Sequence, residues 1–268
     1  MMPIPLLIFL LTFGRFTGAA DLDYDVAGNI YVVDRTSNML VKLSPAGDSL
    51  RAVSGFGDGE LQFDGPVALC ARRGNDIYVA DYNNHRIQRF NRTLDYITTI
   101  ATRDDPDERK RFGYPRDVAI TRQGDLLIVD GENRRIIKIN SFGMVERAFG
   151  DMNAGEGRLM DPSKIEVDED DNIYVLDGRR VLQFDPFGSY VRDIASFFGE
   201  QHEIVSISVD RDTLVVGGKT DLVMVALKSD AIVGYYNFEG RPTAFRSTGG
   251  RIVAVEPERV VVFARPVE

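Results

Sequence analysis

The 268-residue chain has one cysteine, Cys70, and two histidines, His85 and His202. A single cysteine excludes an internal disulfide, so packing and hydrogen bonds must hold the fold. Two histidines put a three-histidine metal cluster out of reach. Basic residues are in deficit, with 32 Lys and Arg against 41 Asp and Glu and a formal net charge of −9. That balance disfavours general nucleic-acid binding, which depends on neutralising phosphates with Lys and Arg. Long hydrophobic runs are missing as well. The apolar stretch Leu6–Phe13 falls far short of the roughly 20 residues a membrane-spanning helix needs, and no membrane span is expected. Neither a Gly-x-Ser-x-Gly elbow nor a Gly-x-x-x-x-Gly-Lys phosphate loop occurs, which leaves nucleophilic and phosphate-loop chemistry without support. No sustained helical periodicity occurs from residue 21 onward.

The first 20 residues, MMPIPLLIFLLTFGRFTGAA, combine that apolar stretch with the small residues Gly18, Ala19 and Ala20. The pattern predicts a secretory signal over 1–20, cleaved to leave an exported protein of residues 21–268, periplasmic or extracellular. No cysteine follows the stretch to take a lipid. Loss of Arg15 would change the formal net charge from −9 to −10.

The remainder is repetitive. The segments GNIYVVD (28–34), NDIYVAD (75–81), GDLLIVD (124–130) and DNIYVLD (171–177) are followed by the degenerate copies DTLVVGG (212–218) and GRIVAVE (250–256). Their ends lie 47, 49, 47, 41 and 38 residues apart, a period in the range of propeller blades. Each copy is preceded by an alternating apolar run and followed by a polar turn and another such run, for example RIQRF (86–90) and RIIKI (135–139). A fourth run follows a Gly or Asp turn. Four short β-rich runs separated by turn residues make one four-stranded antiparallel unit. The expected fold is therefore all-β, a single six-bladed β-propeller domain, expected to be a monomer. A chain starting at residue 21 would leave the last blade three-stranded. Residues 5–14 end in Phe-Gly like other fourth strands and are the alternative closing strand, against which stands their lack of polar alternation.

The pattern in residues 66–186, with DIYVADYNNHRIQRF at 76–90 as its fullest copy, resembles the NHL repeat. The resemblance implies a six-bladed propeller and leaves function open, since propellers host many unrelated activities. It also implies that ligands sit at the central opening of the face carrying the turns between second and third strands and the connections between blades. For enzymatic relatives such as the amidating lyases the resemblance implies a metal site of three histidines on different blades, which this chain, with two histidines, cannot form.

Recurrence weighs against reading the repeat's own polar residues as a site. Asp34, Asp81, Asp130 and Asp177 close each copy, and Asn38, Asn84 and Asn133 recur in the turns. Such residues accept backbone N–H groups in turns, so we read them as architecture. The acidic run DEDDN (168–172) is read as a hairpin tip, lacking calcium-loop spacing. Candidates for contact with a partner are His85, Arg86, Arg134, Arg135, Arg179 and Arg180, with Arg109, Lys110 and Arg111 in the charged connection 102–115. A cationic cluster on an acidic protein suits a protein partner or a small anionic ligand; the alternative is pairing with neighbouring carboxylates. The sequence predicts no metal and no cofactor. A non-catalytic binding scaffold is the favoured role, and a lyase or hydrolase acting at the pore is the alternative.

Overall fold

The computed structural model describes residues 7–72, 75–194 and 203–264. Its strands form six four-stranded antiparallel sheets. The chain opens with β1 (Ile8–Phe13) and then builds blade 1 from β2 (Ala19–Tyr24), β3 (Ile30–Asp34), β4 (Met39–Leu43) and β5 (Ser49–Ser54). Blade 2 is β6 (Pro66–Cys70), β7 (Asp76–Asp81), β8 (Arg86–Asn91) and β9 (Tyr96–Ile100). Blade 3 is β10 (Pro115–Ile120), β11 (Leu126–Asp130), β12 (Arg135–Ile139) and β13 (Val145–Phe149). Blade 4 follows with β14 (Pro162–Val167), β15 (Ile173–Asp177), β16 (Arg180–Phe184) and β17 (Tyr190–Asp193). Blade 5 comprises β18 (Ile204–Asp210), β19 (Thr213–Gly218), β20 (Asp221–Ala226) and β21 (Ile232–Asn237). Blade 6 contributes β22 (Ala244–Thr248), β23 (Arg251–Glu256) and β24 (Arg259–Ala264), and β1 pairs with β24 as its fourth strand.

Alternation along each strand sends successive side chains to opposite neighbours. Val32 packs toward blade 6, against Val253 and Val262, while Tyr31 and Val33 pack toward blade 2, against Leu69 and Val79. The buried apolar residues accordingly form six clusters among the described residues, one at each junction between blades. Gly217 shows how close the junctions are: a Cβ there would lie 2.1 Å from the Phe245 ring of the next blade.

In the full chain the alternative closing strand within residues 5–14 is formed. The last blade has four strands, and its outermost strand is β1, inside the segment assigned to a leader. Residues beyond β1 are also part of the ring. Phe16 is 8% exposed and belongs to the junction between blades 6 and 1, and Ala19 begins the inner strand of blade 1. Phe63, Phe112 and Leu159 hold the equivalent place at the next three junctions, spaced 47, 49 and 47 residues from Phe16 onward. GRFTGAA thus occupies the place that the connections hold at the start of the later repeats. In β1, Ile8, Phe9, Leu10 and Leu11 are 38–57% exposed along the outer edge, an uncommon use of such residues on an edge strand.

Candidate functional site

The face predicted to carry the site is assembled in blades 1 to 4 by the terminal Asp of the second strand, Asp34, Asp81, Asp130 and Asp177. These carboxylates are 0–3% exposed. Each accepts the backbone N–H of the residue 17 positions earlier, in the incoming connection: Thr17 to Asp34 at 2.7 Å, Asp64 to Asp81 at 2.8 Å, Gly113 to Asp130 at 3.1 Å and Met160 to Asp177 at 2.8 Å. In blade 6 a longer acid, Glu256, takes the Arg241 N–H at 3.1 Å. The turn amides of Asn84 and Asn133 donate to the same carboxylates, both at 2.8 Å. Asn38 is not their counterpart. It stands one position later, with a left-handed backbone like His85 and Arg134, and its Oδ1 accepts the Gly65 N–H at 2.8 Å.

Three of the candidate arginines complete this clamp. Arg86 pairs with Asp81 at 2.8 Å and donates to the carbonyls of Asp58, Gly59 and Gln62. Arg135 pairs with Asp130 at 3.1 Å and reaches the carbonyl of Arg111; Arg180 pairs with Asp177 at 2.6 Å and reaches that of Arg158. A guanidinium suits this work because its donors fan out in one plane, here toward one carboxylate and several carbonyls of the same loop. Burial pushes the Asp81 carboxyl above its ordinary range, against the donors from Asn84, Asp64 and Arg86.

The other candidates separate into two groups. His85 packs edge-on to Tyr114, with ring centres 4.1 Å apart, and its Nδ1 accepts the Tyr114 N–H at 3.0 Å. Desolvation, then the nearby charge of Arg103, lowers its pKa below the ordinary value. Arg109 pairs with Asp107 at 2.9 Å, and Arg111 pairs with Glu108 at 3.3 Å while donating to the carbonyl of Asp105. By contrast Arg134, Arg179 and Lys110 are exposed and enter no ion pair among the described residues. Arg158, not singled out from sequence, is likewise exposed and unpaired. Arg134 and Arg158 line a groove of about 380 Å³ between blades 3 and 4, beside Met152, whose side chain is 73% exposed. The second histidine, His202, and most of the connection 198–203 lie outside the described residues.

The inner strands carry a constellation that the sequence reading missed. Arg72 donates to Asp23 at 3.1 Å and, through both terminal nitrogens, to Glu166 at 3.1 and 3.3 Å. Arg246 lies 3.4 Å from Asp21 and 3.6 Å from both Asp23 and Glu166, and Lys164 lies 3.3 Å from Asp21. Asp117 accepts the Ile165 N–H at 2.9 Å. Blades 1, 2, 3, 4 and 6 thus place four carboxylates and three cations in the middle of the ring. Burial raises the Asp117 carboxyl to about 7, with the Lys164 charge acting against the shift. Burying so many charges is tolerable only where each meets partners.

On the opposite face from the clamps, the tips of the inner hairpins surround a cavity of about 790 Å³ lined by residues from all six blades. The tips of blades 1 and 4 are built alike. Asp25 accepts from Ala27, Asn29 and Tyr31, and Asp168 accepts from Asp170, Asn172 and Tyr174, within their own hairpins. The acidic run 168–172 is such a tip. Among the described residues no group of three His, Cys, Asp or Glu side chains is placed to hold a metal ion, and no helix is long and apolar enough to cross a membrane.

Six four-stranded antiparallel sheets arranged as a ring define a six-bladed β-propeller. The family model for the NHL repeat matches residues 63–90, which span the connection into blade 2 and its first three strands, so blade 2 carries an NHL repeat. Over 138 residues, 50% of this chain, it is 33% identical to protein brain tumor of Drosophila melanogaster; the match covers 13% of that longer protein. Solved structures of similar shape include virginiamycin B lyase from Staphylococcus aureus, with TM-score 0.66, 12% identity and coverage of 94% of this chain and 98% of the other. A streptogramin B lyase structure matches with TM-score 0.67, 13% identity and coverage of 96% and 87%. At such identity the likeness to the lyases is one of fold.

Proposed function

We propose that the protein is a non-catalytic recognition scaffold that engages a protein or small anionic ligand through the face carrying the turns between second and third strands. The observation that carries this reading is the division among the arginines of that face. Arg86, Arg135 and Arg180 are consumed by the clamps, whereas Arg134 and Arg158 flank an open groove, which Asp151 also lines, and enter no ion pair among the described residues. Exposed, unpaired guanidinium groups beside an exposed methionine suit a partner that offers carboxylates and an apolar contact. On a molecule of net charge −9, such a patch also orients an acidic partner as it approaches. Chemistry at the pore finds less support, because His85 is engaged at the junction of two loops. The proposed role does not depend on export. The location expected from residues 1–20 rests on their composition, while residues 8–20 are built into blades 6 and 1. A photoreactive side chain at Met152 should capture a partner in the native source, and one at Leu50 on the outer rim should not. Capture at Leu50 alone, or at neither position, would overturn the proposal.

A further inference from the structure

We infer that the paired rings of Tyr82 and Tyr114, on the face that carries the clamps, form a docking platform for an extended, proline-rich peptide segment. The platform shares that face with the groove near Met152 but none of its residues. Tyr82 belongs to the turn after β7 and Tyr114 to the connection into β10; their ring centres lie 5.1 Å apart, with the rings inclined at 46°. Arg35, from the turn after β3, lies 5.6 Å from the centre of the Tyr82 ring, and Arg103 lies 5.9 Å from that of Tyr114. His85 ends the row, 4.1 Å from Tyr114. Tyr114 sits there under strain. Its φ is +49°, and the residue in the same place one junction earlier, directly before the proline that opens the inner strand, is Gly65, at +65°. A left-handed backbone is easy for glycine and strained for an aromatic residue.

The core does not demand this ring, which is 37% exposed. The fold fixes it nonetheless. The Tyr114 N–H donates to His85 Nδ1 at 3.0 Å, and Arg103, anchored on Glu132 at 3.1 Å, donates to the same nitrogen at 2.8 Å. Strain kept at an exposed, firmly held side chain points to a task at the surface. The chemistry of the platform selects its ligand. Neither phenol hydroxyl has a hydrogen-bond partner among the described residues, and Arg35 is exposed and enters no ion pair among them. Asp64 and Glu132 alongside are taken by Asn83 and Arg103. The platform thus offers aromatic surface and spare donors. A proline-rich segment is its complement: the carbonyls of a polyproline II helix are unpaired, proline has no N–H, and its ring presents an apolar face to aromatic ones. Tyrosines with two torsions and a ligand already extended both lose little freedom on meeting.

NMR titration of the full chain with an acetylated, amidated decaproline tests this, with a Gly-Ser decapeptide and a thymidine decanucleotide as controls. Decaproline at millimolar concentration should shift the ring signals of Tyr82 and Tyr114. The Gly-Ser peptide, which is flexible and carries its own donors, and the oligonucleotide should not. Joint Tyr82→Phe and Tyr114→Phe substitution keeps the rings, removes the hydroxyl donors and should weaken binding by about threefold or more. Tyr114→Gly restores at this junction the residue found at the one before. It should abolish the shift at Tyr82 while holding the melting temperature near that of the parent, since relief of strain offsets the added freedom of the unfolded chain. Joint Arg134→Ala and Arg158→Ala substitution should leave decaproline binding unchanged, so the platform and the groove near Met152 stand or fall separately. Ring signals that decaproline does not move, or moves less than the oligonucleotide does, overturn the inference. So do binding that survives Tyr114→Gly, equal affinity of the joint Phe variant, and unfolding of the Tyr114→Gly chain.

Discussion

The backbone N–H of Thr17 donates to the Asp34 carboxylate at 2.7 Å, the same bond that Asp64 makes to Asp81 and Gly113 to Asp130 in the next blades. Thr17 is therefore a working part of the repeat. Its neighbours extend the attachment: Phe16 donates to the carbonyl of Glu258 at 3.0 Å, and Ala19 to that of Pro257 at 3.0 Å. Through these bonds blade 1 is fastened to blade 6.

Deleting residues 1–20 should accordingly destabilise the propeller. The deletion exposes the edge of β24, removes Phe16 from a junction and leaves the Asp34 carboxylate without the Thr17 donor. Loss of a large buried side chain alone costs roughly 3–5 kcal/mol. Thermal unfolding of the full chain and of residues 21–268 should show a drop in Tm of several degrees or failure of the shorter chain to fold. Equal melting temperatures would mean that the strand contributes nothing.

The clamp in blade 2 predicts an asymmetry. Asp81→Ala strands the Arg86 guanidinium, 8% exposed, and leaves the Asp64 N–H without its acceptor. Breaking one side of a buried pair costs roughly 3–5 kcal/mol. Arg86→Lys should be nearly as harmful as Arg86→Ala, because an ammonium cannot reach Asp81 and three carbonyls together. Denaturant unfolding of the three variants checks this, and full rescue by lysine would refute the fan-out account.

The centre of the ring predicts a pH dependence. The Asp117 carboxyl is raised to about 7 by burial, against about 3.9 for an unfolded Asp. Between those values the folded state holds a proton that the unfolded state has lost, so this group's contribution to stability falls as pH rises from about 4 to about 7 and is flat above. The slope is at most about 1.4 kcal/mol per pH unit for one proton. Asp117→Asn removes it. The difference in Tm between variant and parent should shift in favour of the variant from pH 5 to pH 8, while any constant cost of the amide cancels. A difference independent of pH would show that Asp117 titrates normally.

The blade period and the role of Asp34, Asp81, Asp130 and Asp177 are readable in sequence because both repeat locally. A turn needs its acceptor in every blade, and recurrence separates that need from chemistry. The closing strand was harder to read. Its four exposed apolar residues break the alternation that identifies an outer strand, and Gly18, Ala19 and Ala20 fit both a peptidase site and the start of an inner strand. The Phe16, Phe63, Phe112 and Leu159 register was the available signal. The central cluster was not legible as a unit. Asp23, Arg72, Asp117, Glu166 and Arg246 come from separate blades and meet only through ring closure, although charged residues alternating with apolar ones in DLDYD and SKIEVD marked inner strands that face something polar.

The division of the arginines is the central claim, and one paired measurement tests it most directly. Melting temperature and affinity for the partner captured at Met152 are to be determined for Arg86→Ala and Arg135→Ala, and for Arg134→Ala and Arg158→Ala. The clamp variants should lower Tm, each leaving a buried carboxylate without its cation. The groove variants should hold Tm within about one degree, since exposed unpaired charges contribute little to stability, yet weaken the partner about tenfold when combined. Groove variants that bind as the parent does, or clamp variants that melt as the parent does, would contradict the account.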